Sequence, residues 1–232
     1  MSDFGTAIAL ALGLIVRGDP ELYGIVRLSL EVSLGAALVA GLIGSPAGAA
    51  LGVYRFAGRR AAVILVNSML GLPPVVVGLA AYILLSRSGP LGALGLLYTP
   101  TAMVIVQTVL AVPIVTAIVH RAIEDLWARY GEGFQMAGAT RLEIIPQLLL
   151  IGRAQILTAL LAGFGRTISE VGAIIIVGGN IAGATRTMTT AIALQTSMGN
   201  LPLALALGLV LISLSLVFNG LAFAIADRRR FP

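Results

Sequence analysis

Long runs of apolar residues without alternation are the feature that most limits what this chain can fold into. Leu203 to Ala226 is one, and Ala61 to Leu85 is another, interrupted only by Gly71-Leu72-Pro73-Pro74. About 20 apolar residues are what a helix needs to cross roughly 30 Å of hydrocarbon, and only helices or closed barrels satisfy their backbone groups there. Runs that do not alternate exclude barrel strands. The 232 residues are 58% hydrophobic and 11% charged, with a mean hydropathy of +1.02, far more apolar than a soluble domain requires. The chain is read as an all-α integral membrane protein whose solvent is the lipid bilayer, with no nucleic-acid partner.

About five transmembrane helices are expected. Residues 1–24 form an N-terminal interfacial helix and linker: the apolar run Ala7 to Val16 is short for a span, and Arg17-Gly18-Asp19-Pro20 breaks the chain after it. Asp3 stands where a signal peptide would carry basic charge. Residues 25–232 form the transmembrane domain, with spans near 25–44, 61–85, 100–119, 154–177 and 203–226. Gly44, Gly48 and Gly52 recur at four-residue spacing, the small-residue pattern on which membrane helices approach closely. Pro73 and Pro74 remove two amide donors, so the second span kinks or breaks there, either as a packing bend or as the lining of a cavity. Asn67 and Gln107 are the polar side chains at hand to bond near it. His120 ends the third span and is assigned no role; with no second His and no Cys, no metal site is expected.

Charge placement orients the chain. Arg55, Arg59, Arg60, Arg121, Arg129, Arg141, Arg153, Arg228, Arg229 and Arg230 fall on one side of the spans, against Arg17, Arg27, Arg87 and Arg186 on the other. Basic loops stay in the cytoplasm, so residues 129–143 and the C-terminus are expected there. All 15 basic residues are arginine; GC-rich codon usage accounts for the bias. The absence of lysine also removes the GxxxxGK[ST] loop that cradles ATP phosphates, so ATP-driven work would need another subunit.

Two polar features lie in or beside the apolar spans. Arg166 and Glu170 stand four apart in the fourth span, so both side chains are expected on one helical face, deep in the membrane. Charge in the bilayer is costly and normally paired, so they are either a mutual structural pair or part of a gate. Gly178, Gly179, Asn180, Gly183, Thr185 and Arg186 follow at the outer end. Exposed amides, a hydroxyl and one guanidinium can replace the hydration of a passing oxyanion without trapping it; an ordinary glycine-rich loop is the alternative.

Glu132, followed six residues later by Gly138-Ala139-Thr140, resembles the "EAA" loop of bacterial ABC-importer permeases. Gly133-Phe134 stand where that family has two alanines, and Leu150-Ile151 replace its downstream Leu-Pro. Phe164 to Leu194 and Ser68 to Met103 are similar to segments of sulfate, molybdate and tungstate permeases, closest in spelling to the tungstate type, and the likeness runs over nearly the whole chain. The resemblance implies a type I importer permease fold, with coupling to an ATPase through Glu132, Gly133, Phe134, Ala137, Gly138, Ala139 and Thr140. It further implies a homodimer, two cytosolic ATPases that bind ATP and Mg, an extracytoplasmic oxyanion-binding protein, residence in the inner membrane, and no catalytic residue or cofactor of the chain's own. Arg166, Glu170, Gly178, Gly179, Asn180, Thr185 and Arg186 are then candidates for the path or its gate. A membrane-embedded enzyme would need converging acids, bases or metal ligands, and only Arg166, Glu170 and Glu31 offer themselves. A stand-alone channel would leave the loop at 129–143 without a task.

Overall fold

The computed structural model describes residues 2–227, and among them the regular structure is helical, apart from loops and turns. The order is α1 (Ser2–Arg17), α2 (Pro20–Val53), α3 (Arg59–Met69), α4 (Pro74–Leu85), a 3-10 turn (Gly92–Leu94), α5 (Pro100–Met136), α6 (Arg141–Ile151), α7 (Arg153–Ile168), α8 (Gly172–Gly178), α9 (Met188–Ser197) and α10 (Leu201–Asp227). α2, α5 and α10 are long and apolar enough to cross a membrane on their own. The pairs α3/α4 and α6/α7 qualify as broken spans, giving up to five crossings. Leu38, Leu42, Ile64, Ile212 and Leu216 are exposed, apolar surface that suits lipid. Arg228, Arg229 and Arg230 lie outside the described residues.

Several helix limits differ from the sequence expectation. α2 runs straight through Pro46, since one missing donor in a 34-residue helix is tolerated where neighbours pack against it. α5 does not stop at Val119. It continues through charged residues to Met136, because leaving the lipid ends an apolar run but not a helix. The fourth span is not continuous: α7 ends at Ile168 and α8 begins at Gly172. Arg166 and Glu170 therefore do not share a helical face, and Glu170 sits in the non-helical link. Residue 24, the expected limit of the N-terminal segment, falls within α2.

The chain divides into two compact units. The second comprises Ala36–Leu72, Thr108–Arg166 and Phe218–Pro232. Here the glycine stripe of α2 lies on α5. A Cβ added at Gly44 would stand 3.0 Å from the Val115 side chain, one at Gly48 2.7 Å from the Thr116 carbonyl oxygen, and one at Gly52 2.9 Å from Ile123. Around this contact Ala40, Ala49, Val53, Val115, Val119 and Ile123 are buried with Ile144, Leu148 and Ala159. Asn67 does not repair the proline break. Its amide donates to the Val63 carbonyl at 2.7 Å and its oxygen accepts from Arg121 at 3.4 Å.

The first unit comprises Met1–Gly35, Pro73–Gln107 and Thr167–Val217. α4 packs on α8, where a Cβ at Gly78 would meet the Cα of Ala173 at 2.8 Å. Polar side chains close the gaps between its segments. Gln107 Nε2 donates to the Thr167 carbonyl at 2.8 Å, Thr167 Oγ1 to the Ser33 carbonyl at 3.4 Å, and the Met188 amide to Ser29 Oγ at 2.7 Å. Thr189 Oγ1 donates to the Glu170 carbonyl at 2.8 Å. These bonds settle a break that no proline marks: the backbone groups freed between α7 and α8 find side-chain partners.

Candidate functional site

The segment 129–143 is a helix end, a tight turn and a helix start. The Ala139 amide donates to the Phe134 carbonyl at 3.1 Å and the Gly138 amide to the Gln135 carbonyl at 2.9 Å. With Gly138 at φ +81°, this is the paired bonding that caps a helix through a left-handed residue, a conformation glycine adopts without steric cost. Beyond the turn, Thr140 and Glu143 form a capping box. Glu143 Oε2 accepts from the Thr140 amide at 2.8 Å and from its hydroxyl at 2.7 Å, while Thr140 Oγ1 accepts from the Glu143 amide at 3.4 Å. α6 then meets α7 at a 72° bend, and Arg141 lies 5.8 Å from the Trp127 ring centroid.

The seven residues named for coupling divide by exposure. Phe134 and Ala139 are half-buried and pack against the core of the second unit. Glu132, Gly133, Ala137, Gly138 and Thr140 are exposed, beside Met136 at 85% and Leu142 at 72% exposure. Two residues anchor the turn and five present it. Exposed Met and Leu around small residues form a surface suited to a protein partner rather than to water.

The segment at residues 178–186 resolves differently. α8 closes on Gly179 at φ +71°, followed by Asn180 at φ +51°. A Cβ at Gly178 would touch the Met103 sulfur at 3.0 Å, and one at Gly179 the Tyr98 ring at 2.8 Å. Gly179 is thus required by close approach and by backbone conformation, whereas Gly178 is helical and fits closely against the Met103 side chain. Thr185 is fully buried; its hydroxyl donates to the Gly178 carbonyl and accepts from the Ile181 amide at 3.0 Å. The amides of Thr185 and Arg186 bond the Ile181 carbonyl at 2.9 and 3.0 Å. Asn180 Nδ2 donates to the Thr190 carbonyl at 3.4 Å. Thr185 and these amides therefore build the loop and are not free to receive an ion. Thr185→Val should cost about 1–3 kcal/mol, the price of two stranded buried partners, read as a lower unfolding temperature of the detergent-purified chain.

Arg186 is the exception. Its side chain, 16% exposed, lines a cavity of about 430 Å³ together with Gly183, Glu21, Arg27 and Glu31. Arg186 Nη1 is 3.4 Å from Glu21, and its Nε is buried without a partner. Arg27 pairs with Glu31 at 2.6 Å. Glu170, 6% exposed, turns its carboxylate onto α8, accepting from the Gly172 amide at 2.9 Å and the Ala173 amide at 3.4 Å. A carboxylate on unpaired amides at a helix start is a stable placement.

A polar joint in the second unit escaped the sequence reading. Arg59 donates from Nε to the Leu51 carbonyl at 2.7 Å and from Nη2 to Glu124 Oε1 at 2.6 Å; His120 Nε2 lies 3.0 Å from the same Nη2. The only local signal was the i, i+4 spacing of His120 and Glu124. Arg59 is 61 residues from one and 65 from the other. Among the described residues no group of His, Asp and Glu has the makings of a metal site.

A family model described as "Binding-protein-dependent transport system inner membrane component" matches residues 28–231. The "Tungstate uptake system permease protein TupB" of Peptoclostridium acidaminophilum is 38% identical over 217 residues, covering 94% of this chain and 95% of that one. The protein of the same description from Campylobacter jejuni is 36% identical over 72% of this chain and 70% of its own length. The "Sulfate transport system permease protein CysT" of Salmonella typhimurium is 28% identical over 86% of this chain and 74% of its own.

Proposed function

This chain belongs to the binding-protein-dependent transport system inner membrane components, and from that premise we propose that it carries tungstate inward as the membrane subunit of an ATP-driven importer. The observation behind the cargo is the gradient of likeness: 38% and 36% identity to permeases named for tungstate, against 28% to one named for sulfate. Two copies of the chain form the conduit. Two ATPases on the cytoplasmic side bind ATP and Mg, and a soluble binding protein delivers the oxyanion to the outer face.

Each site then has a task. The exposed residues Glu132, Gly133, Ala137, Gly138 and Thr140 seat in the ATPase, while Phe134 and Ala139 tie the turn to the core of the second unit and pass its displacement on. At the outer face Arg186, with a free Nε–H, meets the released ion. Its pairing with Glu21 keeps the attraction weak, as passage requires. Glu170 holds the start of α8 in place.

Uptake of radiolabelled tungstate, molybdate and sulfate by the reconstituted transporter with its binding protein tests this. Tungstate should enter at least about tenfold faster than sulfate at equal low concentration, a difference of about 1.4 kcal/mol. Equal rates for the three ions would overturn the tungstate assignment, and no concentrative uptake of any would overturn the oxyanion importer.

A further inference from the structure

A separate cavity of about 560 Å³ opens in the second unit, on the stretch of α5 that leads to the turn at Gly138. Asn67 and Ser68 of α3 line it, opposite His120, Arg121 and Glu124 of α5. The charges around it do not balance. Glu124 is the one carboxylate in the lining, and its Oε1 is already taken by Arg59 at 2.6 Å and Arg55 at 3.3 Å. His120 Nε2 faces the Arg59 guanidinium, and since a guanidinium only donates, that nitrogen accepts. Arg121 has a different environment. Its partner is the neutral oxygen of Asn67 at 3.4 Å, and Asn67 is itself fixed by its bond to the Val63 carbonyl. Among the described residues Arg121 has no carboxylate within ion-pair distance.

An exposed guanidinium, aimed by a neutral amide across a cavity whose carboxylate is neutralised twice, lacks a counter-ion. Ser68, also exposed, adds a hydroxyl with no partner among the described residues. Acceptor-only oxygens at tetrahedral spacing suit both groups, and arginine can meet two of them at once.

The geometry points to a second oxyanion-binding site, at the coupling end of the permease, held by Arg121 and Ser68 with Asn67 as the residue that positions the guanidinium. The inference rests on the oxyanion reading of the chain. The cavity is open and supplies few donors, so the site is weak and serves as the last station before release.

The test uses the complete transporter in nanodiscs of phosphatidylcholine, without binding protein, and equilibrium binding of radiolabelled tungstate. Saturable binding is expected. Arg121→Gln should weaken it at least about tenfold, as loss of a charge-assisted bidentate contact does. Ser68→Ala should weaken it about threefold, Arg121→Lys should fall between the parent and Arg121→Gln because it keeps the charge but loses the bidentate fork, and Arg87→Gln should leave it unchanged. If Arg121→Gln fails to assemble, Ser68→Ala decides, and unchanged affinity then overturns the site. Wild-type affinity in Arg121→Gln would also overturn it, as would absence of saturable binding from a transporter that still imports tungstate. A lipid phosphate is the other ligand of this chemistry: if adding phosphatidylglycerol abolishes tungstate binding, the cavity is a headgroup site and the proposal falls. A transporter that imports no oxyanion at all removes the reading underneath and takes the site with it.

Discussion

Gly138→Arg is expected to reduce ATP-driven uptake to background and to abolish co-purification with the ATPase, while the permease still accumulates in the membrane. Nothing lies within 4 Å of a Cβ added at Gly138, so the new side chain starts into open space from an exposed turn. Its backbone at φ +81° adds a local cost of about 1–2 kcal/mol, too little to unfold a helix end anchored by Phe134 and Ala139. Gly138→Asn separates the two effects, because asparagine tolerates the left-handed conformation and is small; it should keep most activity. If the arginine variant copurifies with the ATPase as the parent does, residues 129–143 are not the coupling surface.

Gly48→Leu should have the largest effect on stability. A Cβ there would stand 2.7 Å from the Thr116 carbonyl oxygen and 2.9 Å from the His120 amide nitrogen. Both are helix backbone atoms, which cannot rotate aside as a side chain can. Four added carbons must push α2 off α5, at a cost of about 3 kcal/mol or more, and little folded protein should be recovered from detergent extracts. Gly208→Ala is the matching control. It lies in α10 with nothing within 4 Å of its Cβ, so removing glycine should raise stability by about 0.5–1 kcal/mol. Equal melting temperatures for Gly48→Leu and the parent would refute the close α2–α5 contact.

What the sequence revealed depended on whether the cause was local. The stripe of Gly44, Gly48 and Gly52 was legible because one helical face repeats every four residues, and the structure puts each of them against α5. The segment around Gly138 was singled out by resemblance, and the Thr140-x-x-Glu143 cap that follows it is a short-range signal from which the turn could have been read as well. The break at Ser169–Val171 was not, since no proline marks it and the bond that settles it, from Thr189 to the Glu170 carbonyl, spans 19 residues. α9 was missed for a related reason: Thr-Met-Thr-Thr reads as loop, whereas Met188, Thr189, Thr190 and Ala191 are buried helix. Thr185 shows the limit on the functional side. A hydroxyl in a glycine-rich segment reads as a ligand donor, and only the fold reveals that the loop has already used it.

The length of α5 has a consequence of its own. Thirty-seven residues at about 1.5 Å each make a rod of about 55 Å, against about 30 Å of hydrocarbon. In the importer proposed above, the charged portion from His120 to Met136 then stands proud of the bilayer like a stalk. If residues 129–143 are the docking point, such a stalk insulates it from lipid headgroups, and reconstitution into membranes of different thickness or surface charge should leave the affinity for the ATPase unchanged.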